Sequence, residues 1–261
     1  MLSIAVFLFG AMLGSFLNVV IARVPKSESI VRPPSRCPHC KAPIAFYDNV
    51  PLLSYALLGG RCRACRKGIS PRYFLVELLM GALAAALFLR FGLGAAFFVY
   101  LAFAAALVAI SFIDLDVRLV PDVISLPGIG IGLLASLLQY PWPADHLSLP
   151  PSPVDSALGI LLGGGLLLLV AWLYELATGM VGMGGGDIKL LAMIGAFLGW
   201  PAIPITLFFA SLTGAAVGLV LMGLTGAGRK QEVPFGPFLC SGALFYIFLG
   251  RTIIEAYLFP E

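Results

Sequence analysis

Residues 93–116 read LGAAFFVYLAFAAALVAISFIDLD. The first twenty-one of them, 93–113, hold no charged side chain, and no face of a helix wound from them would be polar. A run of about 20 apolar residues is what a helix needs to cross the hydrocarbon core of a bilayer. The run is therefore read as a transmembrane helix. It ends on Asp114, Leu115 and Asp116. A charge at mid-bilayer costs roughly 2.5–3.5 kcal/mol even on the lenient insertion scale, so acids beside a span point to a site that needs carboxyl chemistry. A second stretch, residues 182–189 (GMGGGDIK), sets Asp187 at the head of another apolar segment.

Working outward, the whole chain has this character. Of its 261 residues 60% are hydrophobic and 11% charged, and the mean hydropathy is +1.02, which excludes a soluble domain. The N-terminal run has no basic start and no small-residue cleavage pattern, so it reads as a first span rather than a removed signal peptide. Candidate spans are 2–22, 73–90, 93–113, 122–140, 154–177, 188–200, 202–225 and 237–258, with the Trp200-Pro201 step separating two helices.

Net charge is only +3, yet ten of the 16 Lys and Arg residues fall within 23–72. The positive-inside rule puts that stretch in the cytoplasm and the N-terminus outside. Eight crossings then bring the loops at 114–122, 178–187 and 226–232 to the cytoplasmic face, with Arg118, Lys189, Arg229 and Lys230. Asp114 and Asp187 fall on that same face. The basic residues already serve as a topology signal, so no nucleic-acid partner follows. The Pro-rich loop 140–155 is expected outside, and its Asp145 and His146 are expected to be solvated. No internal sequence repeat is evident.

The polar stretch holds Cys37-Pro38-His39-Cys40 and Cys62-Arg63-Ala64-Cys65. Two CxxC pairs about twenty residues apart have the spacing of a zinc-ribbon-like site with four thiolate ligands. Cytosolic cysteines are poor disulfide candidates. Four thiolates close the coordination shell, so the zinc is expected to be structural, and a segment too small to bury a core draws its folding energy from the metal. His39 is read as a turn residue, and Cys240, alone in the last span, as a small buried apolar residue.

The aspartates have an ordinary alternative, because Asp favours helix N-termini. Pro121 ends one helix and opens the next, and that account serves Asp122. Asp116, two residues from Asp114, points elsewhere and is read as solvated. Asp187 could cap the helix 188–200, but capping leaves Gly182, Gly184, Gly185 and Gly186 unexplained. Glycines are placed where φ is positive or a backbone approaches closely, and such a run lets an extended peptide lie beside the acid. Two unit charges 4 Å apart repel by about 4 kcal/mol at an effective dielectric near 20. Asp114 and Asp187, if they meet, would share one proton: the ionised acid takes a proton from water and the protonated one supports a carbonyl oxygen.

With Gly14-Ser15-Phe16-Leu17-Asn18-Val19-Val20-Ile21-Ala22-Arg23-Val24-Pro25, the four cysteines, Arg72-Tyr73-Phe74-Leu75-Val76-Glu77-Leu78, Ile113-Asp114-Leu115-Asp116, Leu119-Val120-Pro121-Asp122, the glycine–aspartate run with Ile188 to Leu191, and Val233-Pro234-Phe235-Gly236-Pro237-Phe238, nearly the whole chain resembles the type IV prepilin peptidases, the GxGD-class membrane aspartyl proteases. The resemblance implies Asp114 and Asp187 as catalytic aspartates. It also implies removal of a short basic leader after a Gly from prepilins of type IV pili or pseudopilins of type II secretion, at the cytoplasmic face of the bacterial inner membrane. Many bacterial members then methylate the new N-terminus with S-adenosylmethionine, an activity expected of members with the tetracysteine segment. No Gly-rich nucleotide-binding fingerprint is present.

The expectation is an all-α polytopic membrane protein of about eight helices: a first span, 1–22, a cytoplasmic zinc-binding domain, 23–72, and a peptidase core, 73–261. Its partners are pilin-type substrates and membrane lipid. Supporting roles fall to Gly184, Gly185, Gly186, Asp122, Lys189 and Glu77. As an intramembrane acid Glu77 is open to three uses: binding cofactor, pairing with an Arg, or supporting the dyad. Lys189 is set to act on an aspartate or on lipid headgroups. A basic leader would meet the acids at 114, 116, 122 and 187 rather than the basic loop. The rival reading is a proton- or ion-coupled transporter, which also uses membrane carboxylates, although both aspartates lie at one face and repeats are missing.

Overall fold

The computed structural model describes residues 1–138, 147–180, 184–225 and 233–258. Asp145, His146, Gly182, Arg229 and Lys230 lie outside the described residues. The helices are α1 (Leu2–Arg23), α2 (Leu53–Leu57), α3 (Pro71–Phe91), α4 (Ala95–Val117), α5 (Asp122–Leu138), α6 (Pro153–Thr178), α7 (Gly185–Leu198), α8 (Ala202–Thr225), α9 (Gly236–Phe245) and α10 (Arg251–Leu258). A π-helical turn, Tyr246–Gly250, joins the last two. Among the described residues the only β pairing is two isolated bridges, so the all-α class holds.

Six of these segments are long and apolar enough to cross a membrane: Leu2–Lys26, Pro71–Phe91, Ala95–Val117, Pro153–Thr178, Ala202–Leu224 and Gly236–Ala256. Eight crossings are not confirmed. The other two expected spans form helices, of which 17 residues of α5 and 14 of α7 lie among the described residues. At 1.5 Å per residue α7 reaches roughly 21 Å, short of a hydrocarbon core of about 30 Å. The Trp200-Pro201 step does separate two helices, as α7 closes on Leu198 and α8 opens at Ala202.

The chain forms two compact units, Met1–Ala109 and Ile110–Glu261, with the boundary inside α4. In the first unit α1 packs along α3 on a glycine seam. A Cβ added to Gly10 would lie 2.6 Å from the Met80 carbonyl oxygen, and one on Gly14 would lie 2.7 Å from Glu77 Cα. Small residues four apart let two helix backbones approach in this way. The ring of Phe91 at the end of α3 stacks on Tyr100 of α4, with centroids 5.0 Å apart.

In the second unit α7 is the core. Its residues Leu190 to Leu198 are all buried, with α5 and α6 as its closest neighbours. The approach is again through glycine. The backbones of Gly159 on α6 and Gly195 on α7 touch, and Ser156 donates 2.8 Å to the Ala196 carbonyl. At the far end of α7, Trp200 donates to the buried carboxylate of Asp155 at 3.1 Å, while Ser152 caps α6. A short helix buried this completely presents its first turn as a fixed platform.

Candidate active site and metal centre

The cysteines come from two copies of one turn. Residues 36–44 (RCPHCKAPI) and 61–69 (RCRACRKGI) align position by position. In each, the fourth residue after the first Cys donates back to that Cys carbonyl, Lys41 at 3.0 Å and Arg66 at 2.9 Å. Both of those residues take a positive φ, 60° and 59°. Each first Cys donates forward at 2.9 Å, to Ala42 and to Lys67, and the bridges Arg36–Pro43 and Arg61–Gly68 close the loops. This is an internal repeat of nine residues, carried by few identities: Arg, Cys, Cys and Ile.

The two turns face each other. Sγ of Cys37 is 3.9 Å from that of Cys65, Sγ of Cys40 is 4.0 Å from that of Cys62, and all four lie within 4.8 Å of one another. A zinc–sulfur bond of about 2.3 Å in a tetrahedron sets the sulfurs roughly 3.8 Å apart, close to these two separations, so the four cysteines suit a zinc ion. Burial opposes ionisation of Cys37, but the backbone N–H groups of Cys40 and His39 outweigh it and bring the thiol down to about 6. A ligand poised as thiolate suits a metal. Beside the cluster, Arg63 holds Asp48 through two hydrogen bonds of 2.7 and 2.6 Å, and the guanidinium keeps that carboxyl below the usual range.

Glu77, on α3, is buried and accepts from the Leu52 N–H at 2.8 Å and from Ser15. Its three open uses narrow, because no ion pair engages it among the described residues.

In the second unit the structure brings Asp114 and Asp187 together. Asp114 is buried in the last turns of α4 and accepts 3.1 Å from the Gly236 N–H at the start of α9. Asp187 is half-buried in the first turn of α7. They are near enough that the charge of Asp114 acts on Asp187, and both act on Cys240, whose thiol bonds to Ser111. Cys240 is buried as expected. Asp116 is exposed.

One expectation about Asp187 is corrected. It does not cap a helix opening at 188, because α7 opens at Gly185 and Gly184, in extended geometry, is the N-cap. The glycines near it divide by role. A Cβ on Gly186 would press to 2.9 Å from Val120 Cβ, a close approach, whereas Gly184 and Gly185 border open space. Positive φ plays no part at these three. Lys189 grips Asp122 with Nζ 2.7 and 2.8 Å from the carboxylate oxygens. The pair ties the first turn of α5 to that of α7, and since both partners are exposed it contributes about 1 kcal/mol or less. Gly236 carries no expected role from its sequence alone. It is the donor to Asp114, and a Cβ there would sit 2.6 Å from Asp114 Oδ2.

Residues 8–91 match the Bacterial Peptidase A24 N-terminal domain, and residues 101–219 match the Type IV leader peptidase family. The chain is 40% identical to a prepilin leader peptidase/N-methyltransferase of Aeromonas hydrophila, over 97% of this chain and 92% of that protein. The chain belongs to the type IV leader peptidase family. Other family members are as similar: proteins of the same name are 36% identical in Pseudomonas aeruginosa, covering 96% of this chain and 91% of theirs, and 38% identical in Burkholderia pseudomallei, covering 92% and 83%. No solved structure matches. Nothing in these likenesses supports the transporter reading.

Proposed function

We propose that this protein is a bifunctional membrane enzyme that removes the basic leader from prepilins or pseudopilins after a Gly and then N-methylates the new terminus. The observation that carries the reading is the pairing of Asp114 and Asp187, two acids from the end of α4 and the start of α7 held within electrostatic reach in a member of this family. Like charges this close cannot both ionise cheaply, so the pair holds one proton. The ionised acid takes a proton from water as its oxygen attacks the scissile carbonyl carbon, and the other acid gives its proton to the carbonyl oxygen. When the tetrahedral adduct collapses, the C–N bond breaks and the amine leaves with a proton from the dyad. The Gly236 N–H fixes the Asp114 carboxylate, and the bare backbone at Gly184 and Gly185 gives an extended leader room beside Asp187.

The four cysteines would hold a structural zinc that organises the domain 23–72, beside the peptidase core 73–261. When bound, S-adenosylmethionine would supply an electrophilic methyl to the neutral amine of the new N-terminus. The basic stretch and the active face lie in the cytoplasm, with the N-terminus outside the inner membrane. The test is incubation of the purified enzyme with a prepilin in detergent, read by intact mass. Loss of the leader mass followed by a gain of one methyl supports both activities. An unchanged substrate overturns the reading.

A further inference from the structure

The first unit contains a cavity of about 640 Å³ enclosed by the end of α1, α3 and the cysteine-bearing segment. That size falls within the roughly 300–1,000 Å³ of small-molecule sites. Its lining is unusual for a space beside spanning helices. Asn18 of α1 is 3% exposed and faces the cavity; its amide donates to the Tyr73 carbonyl, but its Oδ1 has no partner. A buried acceptor left unsatisfied is costly, and such groups mark a missing ligand or water. Glu77 also lines the cavity, its carboxylate held by hydrogen bonds and not by a cation. Tyr47 and Tyr55 also line the cavity, as do the basic side chains Arg36 and Lys41.

We infer that this cavity is the S-adenosylmethionine site, with Glu77 drawing the cationic end of the cofactor and Asn18 Oδ1 accepting from one of its N–H groups. The inference rests on the methyl transfer proposed above and adds its address. The chemistry matches on each side. An adenosyl sulfonium amino acid brings a cation for an unneutralised carboxylate and for aromatic faces, N–H donors for an orphan acceptor, and a carboxylate for basic side chains. The site also uses zinc indirectly, because the two cysteine turns shape one wall: Cys37 and Cys62 line the cavity.

Titration calorimetry of zinc-loaded, full-length protein with S-adenosylmethionine and with S-adenosylhomocysteine, which lacks the positive sulfur, tests this. Glu77→Gln retains an acceptor for the Leu52 N–H while removing the charge. It should weaken S-adenosylmethionine at least tenfold and narrow the preference for it over the neutral analogue. Ala22→Phe, which fills the cavity from the last turn of α1, should abolish binding of both, with zinc content and thermal midpoint as in the wild type. If Ala22→Phe loses zinc, the Glu77→Gln comparison decides alone. Wild-type affinity in the variants overturns the site. A wild-type protein that neither binds nor transfers methyl overturns the activity on which the site depends.

Discussion

At the scale of the residue, the two acids of the second unit differ in how they are held. Asp114 is buried and anchored by a backbone N–H, while Asp187 stands half-buried in the first turn of α7, within reach of the Asp114 charge. Neither can replace the other, so Asp114→Asn and Asp187→Asn should each lower leader cleavage on the order of a thousandfold without loss of folded protein. Asp116→Asn, at an exposed position, should stay within about twofold in the same intact-mass time course. A dead Asp116→Asn beside an active Asp114→Asn would dismiss the dyad. Both acids were legible in the sequence, because a carboxylate in an apolar run has few cheap explanations. Gly236 was not, since it acts through its backbone N–H, a group that every residue but proline carries. The start of α7 was also misread, because Gly184 caps through its geometry and offers no capping side chain.

At the scale of the element, glycine decides which helices can meet. A Cβ on Gly195 would run into the Gly159 carbonyl of α6, and backbone cannot swing aside as a side chain can. Gly195→Val should therefore destabilise the protein by about 1–3 kcal/mol or more, read as a lower midpoint of thermal unfolding in detergent. Gly165→Ala on the same α6 faces open space and should hold or raise that midpoint, since Ala favours a helix interior by about 1 kcal/mol. The cysteine turns are the other decisive element. Cys62→Ser should lose the metal by elemental analysis and with it methyl transfer, whereas cleavage, assigned under the proposed function to acids of the second unit, should remain measurable. Equal loss of both activities in a folded variant would refute that separation. The CxxC spacing foretold this cluster. The duplication behind it was harder to read, because it lies in hydrogen-bond pattern and two left-handed residues more than in identities.

At the scale of the whole molecule, hydropathy foretold the all-α membrane class and the apolar segments, while the count of eight crossings is not confirmed. A window counts apolar residues, but it does not know how many of them form helix, and α7 has 14 residues. The charge bias makes its own prediction. A protease site inserted between Ser29 and Ile30 should be cut in inside-out vesicles and protected in spheroplasts, and the reverse would invert the orientation proposed here. The shortness of α7 also bears on how the protein is made. Its apolar part, Leu190 to Leu198, is buried against protein, and a helix of 14 residues is too short to insert as a span by itself. Its closest neighbours, α5 and α6, precede it in the chain. Both walls of the groove that receives α7 are therefore synthesised before the helix that fills it.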